Sequence, residues 1–111
     1  MKYGNVRTDG RASKLENAVY QILKFKEKAK LIRDISEQAN IDLGCGIFWK
    51  CDFKYYDCVE LDIVYAEAKG IETERFRLCM KLWADHGPGK LLIYKGSWKD
   101  PRLIKIIEPK K

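Results

Sequence analysis

The chain has 111 residues, enough for one domain and too few for two cores. Its 46% apolar and 12% aromatic content argues against disorder, and no run is long enough to cross a bilayer. The net charge of +6 suits a polyanionic partner without requiring one.

Charge is unevenly distributed. Residues 1–30 carry eight basic and three acidic side chains (net +5), residues 31–69 four and eight (net −4), and residues 70–111 ten and five (net +5). A simple phosphate-binding module has no use for an acidic centre, because carboxylates repel phosphates unless a cation stands between them. The amino terminus, Met1-Lys2-Tyr3-Gly4-Asn5, lacks the apolar stretch of a secretion signal, so a soluble, cytoplasmic protein without a membrane partner is expected.

Residues 1–12 read as a polar arm containing the turn signal Asp9-Gly10-Arg11. Ser13-Lys14-Leu15-Glu16 has the form of a capping box, with Ser13 as N-cap. Leu15, Val19, Ile22 and Leu23 then make the apolar face of a helix running to about Lys30. Leu31 to Leu43 reads as one or two strands, and Gly44-Cys45-Gly46 as a turn. From Ile47 to Tyr56 the pattern alternates, placing Trp49, Cys51 and Phe53 on one face and Lys50, Asp52 and Lys54 on the other. Asp57-Cys58 marks a hairpin tip. Val59 to Lys69 is near-continuously apolar around Ile63-Val64-Tyr65-Ala66, as in a central strand.

Gly70 breaks that strand. A second helix is expected over Thr73 to Asp85, with Phe76, Cys79, Met80 and Trp83 on one face, ended by Gly87-Pro88-Gly89. Leu91 to Tyr94 reads as a last short strand, parallel to the strand before the helix if the unit is a βαβ crossover. Residues 96–111 form a basic tail that holds Leu103, Ile104, Ile106 and Ile107 and should therefore pack. The order α-β-β-β-α-β gives an α/β fold with a mixed sheet flanked by helices, in a single domain spanning residues 1–111.

Cys45, Cys51, Cys58 and Cys79 lack metal-ligand spacing, and His86 is remote from the first three; with no secretion signal, they read as reduced thiols. The chemistry-bearing signal is elsewhere. Glu67-Ala68-Lys69 ends the apolar strand, and alternation puts Glu67 and Lys69 on one face about 7 Å apart. In a hairpin, Asp52 on the neighbouring strand comes beside Glu67. Two adjacent carboxylates repel unless a cation bridges them, and oxygen ligands without His or Cys suit Mg²⁺ or Mn²⁺. Such an ion acidifies a bound water and neutralises a phosphate, and Lys69 would orient that water or steady developing charge. Glu16 adds an outer-shell carboxylate or serves a second ion. Local sequence also allows plainer roles: Glu16 as capping glutamate, Asp52 as a surface aspartate, and Glu-X-Lys as a solvated pair. Asp62 points to the other face from Glu67 and is the poorer ligand.

Helical Glu, strand Asp and a strand-ending ExK, in that order, resemble the PD-(D/E)xK nuclease superfamily. Arg11-Ala12-Ser13-Lys14-Leu15-Glu16, Cys51-Asp52-Phe53 and Tyr65-Ala66-Glu67-Ala68-Lys69-Gly70 are similar to the corresponding segments of phage endonuclease I type Holliday-junction resolvases, with Cys51 where those have proline. Lys2-Tyr3-Gly4-Asn5-Val6, the run Asp52 to Asp57, Phe76-Arg77-Leu78 and Lys81-Leu82-Trp83 also resemble a small phage family of unassigned function. The resemblance covers Lys2 to Tyr94. It implies a restriction-endonuclease-like core and a metal-dependent DNA endonuclease acting in DNA recombination, in the host cytoplasm if phage-encoded. It further implies Asp52, Glu67 and the Ala68 carbonyl as metal ligands, Lys69 as catalytic lysine, Glu16 as helical acid, a homodimer and branched DNA as substrate. Arg7, Arg11, Lys14, Arg75, Arg77 and Lys81 are the candidate phosphate contacts. The alternatives are a non-catalytic nucleic-acid-binding protein on a nuclease fold and a phage-type inhibitor that binds a host protein.

Overall fold

The computed structural model describes residues 13–44 and 46–110. The polar arm, with Arg7 and Arg11, and Cys45 lie outside the described residues. The elements are α1 (Lys14–Lys28), β1 (Ile32–Asp42), β2 (Phe48–Asp57), β3 (Asp62–Ala68), α2 (Glu74–His86), β4 (Lys90–Ser97) and β5 (Asp100–Ile107). They form an α/β fold with one mixed five-stranded sheet in the order β1-β2-β3-β4-β5. Every pairing is antiparallel except β3 with β4, which are parallel across the α2 crossover.

Both helices begin where their caps dictate. Ser13 Oγ accepts from Glu16 N at 3.0 Å, and Thr73 Oγ1 accepts from Phe76 N at 3.1 Å. Each helix covers one face of the sheet. Val19 and Leu23 of α1 pack with Phe53, Tyr55, Val64, Ala66, Leu92 and Tyr94. Phe76, Cys79, Met80 and Trp83 of α2 pack with Cys51, Tyr65, Leu91 and Ile93. The alternating sides of β3 and β4 thus feed two cores, which explains why both strands read as continuous apolar runs.

Three expectations are adjusted. First, β3 starts at Asp62 rather than Val59. Asp57 Oδ1 accepts from Val59 N at 2.8 Å and Glu60 N at 2.9 Å, and Leu61 takes a φ of 60°, so Cys58–Leu61 is turn. Second, the tail is a strand. β5 folds back on β4 through a turn at which a Cβ on Gly96 (φ 104°) would lie 2.7 Å from the Asp100 carbonyl oxygen. Pro101 is tolerated there because β5 is an edge strand. The order is therefore α-β-β-β-α-β-β.

The third adjustment shapes the site. The alternation expected along β2 breaks at Asp52. Cys51, Asp52 and Phe53 are buried in succession, with Cys51 in the α2-side core and Phe53 in the α1-side core. β1 makes the same crossing: Ile35 packs on the α1 side and Ala39 on the α2 side. Between them Gln38 takes a φ of 58°. Gln38 lies opposite Asp52, flanked by the pairs Glu37↔Phe53 and Ala39↔Cys51. A left-handed residue interrupts the period of two in β1, and β1 and β2 both switch faces at this level while β3 does not.

Candidate functional site

β2 and β3 part where that crossing occurs. Their ladder runs from Asp57↔Asp62 to Phe53↔Ala66 and stops, and Asp52 and Glu67 are the next residues on each strand. Each carboxylate takes a backbone donor of the opposite strand. Asp52 Oδ2 accepts from Ala68 N at 2.9 Å, and Glu67 Oε1 accepts from Asp52 N at 3.3 Å. The Cys51 thiol donates to the Ala66 carbonyl at 3.3 Å. Side chains thus replace the missing ladder bonds, which is how two carboxylates can be tolerated in the sheet. Glu67 is 3% exposed and Asp52 9%.

Burial is paid for in protonation. It pushes the Glu67 carboxyl up to about 8, with the Asp52 charge adding to the effect. It also raises Asp52, against the opposing pull of the Ala68 N–H and the Lys69 charge. Lys69 Nζ lies 3.7 Å from Glu67 Oε2, too little to offset desolvation, so near pH 7 the pair holds a proton. A divalent cation between the carboxylates would displace it. Burial likewise raises the Cys51 thiol and keeps it neutral. Among the described residues, Cys51, Cys58 and Cys79 are unbridged thiols.

Lys69 is held by aromatic rings. Its Nζ stands 5.1 Å from the Trp49 centroid and 5.0 Å from that of Phe76, and the two rings contact each other at 5.7 Å. Trp49 Nε1 also donates to Glu67 Oε1 at 3.2 Å. One indole therefore orients both the acid and the lysine of the ExK segment.

Glu16 is buried in the first turn of α1, where Ser13 caps its backbone N–H. Its carboxylate turns toward β1 and accepts from Gln38 Nε2 at 3.1 Å. Hydrogen bonding from the Gln38 side chain also favours the ionised form of Asp52. Gln38 thus links the helical acid to the strand acid from the point at which β1 switches faces.

Asp52, Glu67 and Lys69 come together at the end of β3, whereas Glu16 reaches Asp52 through Gln38. Asp62 does not join them, since it sits exposed at the hairpin tip, where its Oδ1 accepts from Ile63 N. In the first turn of α2 the Arg75 guanidinium donates to the Phe48 carbonyl at 3.1 Å, while Lys14, in the first turn of α1, lies against the Trp98 ring. Arg77 and Lys81 step away along α2 to line a groove of about 310 Å³ shared with Ile104 and Lys105 of β5. Sequence reasoning missed Gln38 and Trp49. Trp49 had a usable signal, its place three residues before Asp52, whereas nothing marked Gln38.

Among the described residues, no three His, Cys, Asp or Glu side chains converge as a metal cage. Two carboxylates with backbone and solvent oxygens still fit Mg²⁺, which keeps several waters and takes substrate phosphate oxygens. No helix of the described residues is long and apolar enough to cross a membrane. No family model, curated protein or solved structure matches the chain.

Proposed function

We propose that the protein is a metal-dependent DNA endonuclease of the PD-(D/E)xK kind, selective for branched DNA in the manner of junction resolvases and active as a homodimer. The observation that carries this reading is the buried pair of Asp52 and Glu67 at the parting of β2 and β3, each bonded to the opposite strand's backbone, with Lys69 3.7 Å from Glu67. Such a pair costs stability unless it has a use.

Asp52 and Glu67 would hold Mg²⁺ or Mn²⁺, with the Ala68 carbonyl as a further ligand and Glu16 in the outer shell or at a second ion. When bound, the ion supplies charge neutralisation at the scissile phosphate and lowers the pKa of an adjacent water. Lys69, kept from wandering by Trp49 and Phe76, presents its ammonium to that water or to the phosphate oxygens. Gln38 fixes Asp52 and Glu16 relative to each other. Lys14 and Arg75 would neutralise substrate phosphates.

Incubating the protein with four-way junctions, flaps and plain duplex, with and without Mg²⁺, tests the proposal. Mg²⁺-dependent cleavage, fastest on a branched substrate, is expected. No cleavage of any substrate, or cleavage undiminished by Asp52→Ala or Glu67→Ala, overturns it. DNA binding that survives chelation without any cleavage would instead mark a non-catalytic binding protein.

A further inference from the structure

The carboxylate pair does not account for a second feature at the same end of the sheet. β4 runs parallel to β3 and outlasts it, so the β4–β5 turn projects beyond Glu67 and Lys69. Lys69 N donates to the Tyr94 carbonyl at 3.0 Å, and Trp98 follows Tyr94 by four residues, about 13 Å of strand. Trp98 is 49% exposed, an uncommon state for so large an apolar ring. Lys14 Nζ lies 5.3 Å from its centroid and Lys99 Nζ 5.5 Å. Lys14 stands two residues before Glu16. Beside the ring a shallow groove of about 590 Å³ runs along α1, lined by Asn17, Ala18, Gln21, Ile22 and Pro101.

We infer that this groove takes one unpaired nucleobase of a DNA substrate, stacked on Trp98, with Lys14 and Lys99 on the flanking phosphates. The chemistry of the lining matches the ligand part by part. An exposed indole offers a face to a base of any identity once substrate phosphates draw the lysines off the ring, the Gln21 amide can meet a base edge, and the Lys14 and Lys99 ammonium groups over the ring match phosphate charge. A base inside a continuous duplex has both faces covered by its neighbours and cannot reach Trp98. Flaps, frayed ends and branch points whose pairs have opened expose one. The groove therefore gives a physical basis for preferring branched over plain duplex DNA, and it rests on the nuclease reading only for the nature of the polymer.

The test is a binding measurement in chelator, where nothing can be cut, so it is independent of catalysis. Anisotropy titrations use three labelled oligonucleotides: a duplex with a three-nucleotide flap, the same flap made abasic, and a blunt duplex. Trp98→Ala is expected to weaken flap binding about 10-fold, the scale of one lost base stack, and to leave the other two within twofold. Trp98→Phe should retain most of the affinity. Lys14→Ala and Lys99→Ala should weaken all three ligands and each flatten the salt slope by about one. A Trp98→Ala protein with an unchanged melting temperature that loses all three equally, or loses none, overturns the inference. Flap binding without cleavage in Mg²⁺ would remove the nuclease reading and leave the base site standing.

Discussion

The β2–β3 hairpin carries two facing acidic pairs, one at each end, and they have opposite characters. At the tip, Asp57 and Asp62 pair directly across the ladder. Asp57 accepts backbone N–H groups of its own turn, Asp62 accepts that of Ile63, and both reach solvent. At the open end, Asp52 and Glu67 are buried, each bonded to the opposite strand's backbone, and burial holds a proton on Glu67 up to about pH 8. Spacing alone does not distinguish the pairs. The difference is the environment: solvent relaxes the first, whereas two cores and the first turn of α1 enclose the second.

Breaking each pair in turn gives the largest expected contrast. Asp52→Ala or Glu67→Ala should lower single-turnover cleavage of a four-way junction in Mg²⁺ by on the order of 10³-fold, the scale of several kcal/mol of lost charge stabilisation. Asp57→Ala and Asp62→Ala should leave the rate within about twofold. Equal losses at both ends would mean that the tip, not the open end, had been misjudged.

The protonation state gives the next largest effect, read as stability. Glu67 has an ordinary value of 4.5 and a folded value of about 8. Below 4.5 both folded and unfolded chains hold the proton and burial costs nothing. As pH rises from 4.5 to 8, the unfolded chain ionises freely while the folded chain resists, so metal-free stability falls across that window. Melting temperature measured from pH 4 to 9 in chelator should decline accordingly, Glu67→Gln should flatten the decline, and Mg²⁺ should reverse it at the alkaline end. A flat wild-type profile would remove the case for a retained proton.

What the sequence made legible was what local chemistry decides. Ser13 and Thr73 announce their helices because a cap is a contact within three residues. Glu67 and Lys69 could be placed on one face because β3 keeps its period. The face switch at Gln38 was not legible, because a left-handed glutamine has no composition signal and is imposed by the packing of two cores. The strand β5 was hidden for another reason. Its apolar residues remain largely exposed on an edge, so they lack the strict alternation that burial would impose. Trp49 and Gln38 act through carboxylates distant in sequence, and only the fold reveals them.

Those two residues give the smaller tests. Gln38→Ala should raise the Mg²⁺ concentration for half-maximal rate about 10-fold, as expected for a group that orients metal ligands. Gln38→Gly should do the same yet be about 1 kcal/mol more stable than Gln38→Ala, since glycine relieves the left-handed conformation that alanine keeps. If glycine at 38 restored wild-type Mg²⁺ dependence, the backbone turn rather than the amide would be the working part.

The smallest effect belongs to Trp49→Phe. Phenylalanine keeps a ring beside Lys69 but deletes the N–H that Glu67 Oε1 accepts. That hydrogen bond favours the ionised carboxylate, so its loss raises the Glu67 pKa further. A cation must then displace a more tightly held proton at neutral pH, but not once the pH exceeds the shifted value. The Mg²⁺ requirement should rise about threefold at pH 7, within the net worth of one hydrogen bond, and converge on wild type near pH 9.5. Trp49→Ala, which also frees Lys69, should depress the rate at both pH values. A threefold difference that persisted unchanged at pH 9.5 would assign Trp49 to lysine positioning alone and remove it from control of the carboxylate.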